Sequence, residues 1–170
     1  MPYNLVEFIR GGLAVKRFHT VPTIKEDTVG MHSAGVALFC ALLTDYKCSA
    51  ELLTAALTHD LAEQIYGDIP SPAKHQLGIW GSMNAMEDKA LEEAGLLQVL
   101  NVYEKRCLKL ADCLDGMYFC ISEKCLGNGG LDEIYGRYAA YIKELAPYSV
   151  TEQAVINEVH ELWSIKDERK

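Results

Sequence analysis

The chain is predicted to fold as an all-α bundle, and three observations carry that reading. Apolar residues recur at helical spacing through most of the 170 residues. Period-two alternation is nearly absent, and Gly or Pro clusters separate the helical stretches. With 49% hydrophobic content, a chain of this size can bury roughly two-thirds of its unfolded surface in one core. One domain over residues 1–170 is therefore expected.

Taken in order, Asn4 to Lys16 carries Leu5, Phe8, Ile9 and Leu13 at helical spacing, with Gly11-Gly12 as a weak point. Arg17 to Lys25 holds Pro22 and β-branched residues without a helical period, so it reads as a loop or extended link of the kind that can line a site. Asp27 or Thr28 can cap the next helix, which runs to about Asp45 through Val29, Val36, Phe39, Cys40 and Leu43. After Tyr46 to Cys48, Ser49 caps a helix whose apolar residues Leu52, Leu53, Ala56 and Leu57 place His59 and Asp60 in its later turns. Gly67, Pro70 and Pro72 end it.

Ala73 to Gly81 is expected to be irregular, with Lys74 and His75 exposed at a mouth. A helix follows from Ser82 to about Glu93, before Gly95. Asn101 to Cys125 reads as one long helix stopped by Gly127-Asn128-Gly129-Gly130. Two more helices, near Leu131 to Leu145 and Thr151 to Ser164, flank Pro147. No repeat or low-complexity tract interrupts the pattern.

The net charge of −8 argues against a duplex-binding surface, which needs a basic stripe to displace counterions. No apolar run approaches the roughly 20 residues that span a bilayer, and Met1 to Arg10 lacks the basic start and long apolar middle of a signal peptide. A cytoplasmic protein with neither nucleic-acid nor membrane partners is the expectation. The six cysteines at 40, 48, 107, 113, 120 and 125 form no CxxC pair and fall mostly in apolar helical patterns, so they read as buried free thiols.

Chemistry concentrates at His59-Asp60-Leu61-Ala62-Glu63. Neighbours on a helix point about 100° apart, so an adjacent His and Asp can approach one ion from the side while Glu63 stacks one turn beyond. The bland alternative is a capped helix end. His32 and Asp112 each interrupt an otherwise apolar helical face, where an unpaired polar group costs a few kcal/mol. One shared cation would satisfy both. Mixed nitrogen and oxygen donors suit Mn, Co, Fe, Ni or Zn better than Ca.

The ordered set His32, His59-Asp60 and Asp112 resembles the metal set of the HD-domain phosphohydrolases. Arg17, Glu63 and the block Gly67-Asp68-Ile69-Pro70-Ser71-Pro72 make it similar to the 5'-deoxynucleotidase branch. Lys16-Arg17-Phe18-His19-Thr20, with Thr28-Val29, Gly35-Val36-Ala37 and Pro72-Ala73-Lys74, looks closer still to the phage dATP triphosphohydrolases that accompany 2-aminoadenine DNA synthesis. The resemblance runs from about residue 10 to 115. It implies an HD-domain helical bundle, one divalent transition metal held by His32, His59, Asp60 and Asp112, a deoxynucleotide substrate, and a homo-oligomer, dimer or hexamer. The activity implied first is release of triphosphate from dATP. The alternatives are release of phosphate from a deoxynucleoside monophosphate and, in another class, a nucleotide-binding module whose catalytic site has decayed.

In that scheme Glu63 acts as general acid or base, its alternative being a surface ion-pair partner. Asp68 orients the attacking water or accepts from the sugar 3'-hydroxyl, unless it is only an Asx turn residue. Arg17 matches the family's phosphate-binding arginine, and a planar guanidinium suits two-pronged contact with phosphate. Phe18 stands where the deoxynucleotidases carry a Trp that packs on the sugar, and Phe18 and Thr20 read equally as substrate-facing or core residues. Lys74, or Lys16 or His19, would meet outer phosphates. Met31 departs from the Glu that relatives place before the helix-two His; its presence removes one acceptor behind a ligand imidazole, which would lower metal affinity.

Overall fold

A computed structural model describes residues 4–167, so the start of the Met1 to Arg10 stretch lies outside the described residues. The order is α1 (Leu5–Leu13), α2 (Val29–Leu43), α3 (Ala50–Thr58), α4 (Glu63–Tyr66), α5 (Ser71–Gln76), α6 (Trp80–Glu93), α7 (Val102–Cys125), a 3₁₀ turn (Gly129–Leu131), α8 (Asp132–Glu144) and α9 (Val150–Asp167). Among the described residues the sole extended pairing is an isolated bridge between Lys16 and Thr28. The all-α expectation holds.

Side chains set the helix starts as the residue types dictate. Asn4 accepts the N–H groups of Val6 and Glu7, Ser49 accepts that of Leu52, and Asn101 with Glu104 forms a reciprocal capping box. Of the two candidate caps for α2, Thr28 does the work by accepting the Met31 N–H. Asp27 is buried and turned to Arg17.

Helix α7 is the axis of the molecule. Leu110, Leu114 and Met117 are wholly buried on it, each contributing about 1.5–3 kcal/mol by leaving water. They pack with Val36, Cys40 and Leu43 of α2, Leu52 and Ala56 of α3, and Ile142, Val155 and Ile156 of α8 and α9. A second, smaller cluster joins Phe8 of α1 to Val29, Leu61, Ala62, Ala90 and Leu91. His32 on α2 and Asp112 on α7 stand on helices of the larger cluster, and Asp60 directly precedes Leu61 of the smaller one.

Helix α1 runs through Gly11-Gly12, which is where it presses on the turn after α3, since a Cβ at Gly12 would meet the Leu61 backbone at 2.8 Å. Four expectations are corrected. Helix α3 ends at Thr58, and His59 to Ala62 continue as tight turns in which Leu61 and Glu63 donate to the carbonyls three residues back. The stretch 73–81 is not irregular, because α5 occupies most of it and α6 begins at Trp80. Within it His75 is exposed, but Lys74 is buried against Glu87. All six cysteines are free, yet Cys125 is exposed at the end of α7. No helix of the described residues is long and apolar enough to cross a membrane.

Candidate functional site

Four elements bring the polar residues together. His32 comes from the first turn of α2, His59 and Asp60 from the tight turn after α3, Asp112 from the middle of α7, and Arg17 from the loop after α1. The His32 Nε2 atom lies 3.3 Å from Asp112 Oδ1 and 3.6 Å from Asp60 Oδ2, and His59 Nε2 lies 3.3 Å from Asp60 Oδ2. Donor atoms of His32, His59 and Asp112 all fall within 4.8 Å of one another.

The two imidazoles have their far sides tied down. His59 Nδ1 is 3.0 Å from the Ala56 carbonyl oxygen, which can only accept, so Nδ1 carries the proton and Nε2 a lone pair. His32 Nδ1 is 2.7 Å from Asp115 Oδ2. Both Nε2 atoms are buried without a hydrogen-bond partner, a state that costs free energy unless something else satisfies them. Two such ring nitrogens facing two carboxylates fit a divalent transition metal.

The charges agree. Burial would raise the carboxyl of Asp112, but Lys109 and His32 overcome it and hold it well below its usual range. Asp60 is likewise lowered against burial, by His59, Arg17 and His32. Burial and Arg17 would lower His32, yet Asp112 and Asp115 raise it to about 9. The cluster favours positive charge at its centre.

Around this centre, Arg17 Nη1 donates to Asp60 Oδ2 at 2.9 Å, and its Nε lies 3.3 Å from Asp27 Oδ2. Phe18 holds the left-handed φ of 53° and stacks on Phe119 with ring centroids 4.5 Å apart. A non-glycine residue pays strain for that conformation, and here it leaves the Arg17 guanidinium carbon 5.8 Å from the Phe18 ring centroid. Thr20 is exposed. Glu63 is buried, with Oε2 lacking a partner, and burial together with Asp60 and Asp68 pushes its carboxyl up to about 9. Asp68 lies 3.6 Å from His19 Nδ1, and burial raises it too. Lys74 Nζ donates to Glu87 at 2.9 Å, while exposed Lys16 pairs with Glu26.

Sequence reasoning missed Asp115, Lys109 and Glu87. Lys109 donates to Asp112 Oδ2 at 2.7 Å, and Glu87 fixes Lys74. A signal for Asp115 was available: it stands three residues after Asp112, hence on the same face of α7. The expected penalty at Met31 does not follow from this geometry, because Met31 is 61% exposed and Asp115 supplies the acceptor behind His32.

Comparison with known proteins agrees with this arrangement. A family model described as 5'-deoxynucleotidase YfbR-like matches residues 8–154. A protein of Salmonella phage PMBT28, named dATP triphosphohydrolase, is 29% identical over 150 residues, covering 78% of this chain and 75% of that one. Among solved structures, an HD-domain phosphohydrolase from Listeria innocua superposes with a TM-score of 0.69 at 18% identity, covering 97% of both chains. A cyanophage S-2L HD phosphohydrolase, bound to dA and one catalytic Zn2+ ion, superposes with a TM-score of 0.65 at 17% identity, covering 98% of both. At these identities the two structures establish the fold.

Proposed function

The chain belongs to the YfbR-like 5'-deoxynucleotidase family, and from that membership we propose that it is a metal-dependent phosphohydrolase of 2'-deoxynucleotides whose substrate is dATP, cleaved to deoxyadenosine and triphosphate. One observation carries the reading: two buried, unpartnered imidazole nitrogens converge with two carboxylates, beside a buried arginine and a buried, protonatable glutamate. The phage relative supports dATP as the substrate.

His32, His59, Asp60 and Asp112 would hold the ion. When bound, a divalent transition metal supplies a Lewis acid that draws charge from a phosphate oxygen and makes water more acidic. Arg17, anchored by Asp27 and Asp60, binds the phosphate next to the sugar. Glu63 moves the proton, because a carboxyl raised this far can hold one at neutral pH and release it to the leaving oxygen. Asp68 orients the water or the sugar hydroxyl, Phe18 and Thr20 border the sugar, and Lys74 faces the outer phosphates.

The family description favours a second reading, hydrolysis of deoxynucleoside monophosphates, and the pairing of Lys74 with Glu87 leaves less free positive charge for a long phosphate chain. A decayed binding module is disfavoured by the intact Glu63. The remaining parts of the proposal are one working domain over residues 1–170, a homo-oligomer, a cytoplasmic setting and no nucleic-acid partner, the last supported by the net charge of −8. Purified protein incubated with Mn2+ or Co2+ and each nucleotide tests it: triphosphate from dATP is expected. Orthophosphate from dAMP with dATP untouched would overturn the substrate in favour of the second reading.

A further inference from the structure

Two carboxylates one turn apart on α7 grip opposite sides of a single imidazole. Asp112 Oδ1 lies 3.3 Å from His32 Nε2, and Asp115 Oδ2 lies 2.7 Å from His32 Nδ1. The His32 side chain is wholly buried, so no water competes for either nitrogen. The shorter contact is the one away from the cluster.

Asp115 reaches this position through a gap left by Gly35. A Cβ on Gly35 would fall 1.9 Å from Asp115 Oδ1 and 2.7 Å from its Cγ. Gly35 follows His32 by three residues on α2, so it stands beside His32 on the same helix face. Any side chain there must drive the carboxylate off the ring. A glycine on one helix and an aspartate on another thus act as a single device.

We propose that Asp115 is the positioning residue of the metal centre: it accepts a hydrogen bond from His32 Nδ1–H, fixes the ring's orientation, and leaves Nε2 aimed at the ion, with Gly35 providing the space. His59 achieves the same end with the Ala56 carbonyl, but a carboxylate also donates electron density and makes its imidazole a stronger ligand. The two ligand imidazoles are therefore held differently, His32 by a carboxylate and His59 by a main-chain carbonyl. The inference rests on the metal-centre reading above, and the experiment separates the two.

Zn2+ affinity of the full chain is measured by competition with a chromophoric chelator, alongside the ¹⁵N signals of the His32 ring in Zn2+-loaded protein and far-UV circular dichroism. Asp115→Ala is expected to weaken Zn2+ binding by about 10–100-fold and to shift the Nδ1 signal of the ring, which loses its acceptor. Asp115→Asn should recover part of both, because its amide oxygen still accepts. Gly35→Ala should weaken binding although it touches no ligand, and the double variant Gly35→Ala/Asp115→Ala should bind no more weakly than Asp115→Ala alone. If Gly35→Ala fails to fold, the two Asp115 variants decide the matter. Unchanged Zn2+ affinity and ring signals in Asp115→Ala would overturn this inference alone, whereas failure of the unaltered protein to bind Zn2+ would overturn the metal centre and this inference with it.

Discussion

Gly12 and Leu61 are in backbone contact: a Cβ on Gly12 would lie 2.8 Å from the Leu61 carbonyl oxygen and 2.9 Å from its Cα. Leu61 follows His59 and Asp60 directly, so α1 acts as a backstop for the turn that carries them. Two effects compete in Gly12→Ala. Helix propensity would gain about 0.5–1 kcal/mol, while forcing atoms into a packed contact costs about 1–3 kcal/mol. The clash wins, because the neighbour is main chain and cannot rotate away. Gly12→Ala should lower the melting temperature and weaken metal binding together; a variant as stable and as metal-avid as the unaltered protein would show that α1 does not brace the turn.

The existence of the helices was legible in the sequence, because period and breakers are local properties. The break at His59 was not, since the apolar pattern runs on while the hydrogen bonds tighten from four residues to three. Helix α5 was hidden by its length of six residues and by Pro72, which a first turn tolerates. His32 and Asp112 were legible as candidates because each breaks an apolar face, and the structure brings both to the 59–60 pair. The contact of Asp115 with His32 and the burial of Lys74 were not legible. Each depends on a partner in another helix, the missing Cβ of Gly35 in one case and Glu87 in the other.

Glu123 ties the loop from Arg17 to Lys25 to α7. Wholly buried, it accepts the N–H groups of Ile24 and Lys25 at 2.7 Å each, and Asn128 donates to it and to the Pro22 carbonyl. Burial would raise its carboxyl, but the Ile24, Asn128 and Lys25 donors outweigh it and hold the value below the ordinary one. A folded value below the unfolded one, roughly 4.3, means that the stabilisation is complete above the unfolded value and is lost as pH falls through the folded one. Glu123→Gln keeps one acceptor and turns an amide N–H toward a backbone N–H, leaving a donor unpaired at a cost of about 1–3 kcal/mol. Its melting temperature should fall short of the unaltered protein's by a constant amount above about pH 5.5, with the gap closing in acid. Because the loop carries Arg17 and Phe18, KM for the nucleotide should rise more than kcat falls. A gap that widens in acid would contradict the assignment.

Glu63 forms no ion pair with any of the described residues, and its Oε2 is buried without a hydrogen bond. If it carries the proton of the reaction, Glu63→Gln should cut kcat by about 10²–10⁴-fold while leaving Zn2+ affinity and substrate KM nearly unchanged. Single-turnover kinetics at saturating metal check this. A variant that loses metal binding in step with activity would place Glu63 among the ligands instead.

The metal's contribution to stability follows from the same orphaned nitrogens. Without an ion, His32 Nε2 and His59 Nε2 stay buried and unpaired beside two carboxylates, a cost the folded state carries whether or not substrate is present. An ion that binds only the folded chain relieves it and stabilises by mass action, about 2.7 kcal/mol at a free concentration 100 times its Kd. For a domain of this size each kcal/mol shifts the midpoint by roughly 2–4 °C, so chelation should lower the melting temperature by about 5–10 °C and abolish hydrolysis. Adding back Mn2+, Co2+ or Zn2+ should restore both. In His59→Ala the chelator should lose most of its effect on the melting temperature, since the site has already lost a ligand. If the chelator instead shifts this variant as far as the unaltered protein, the stabilising ion sits elsewhere.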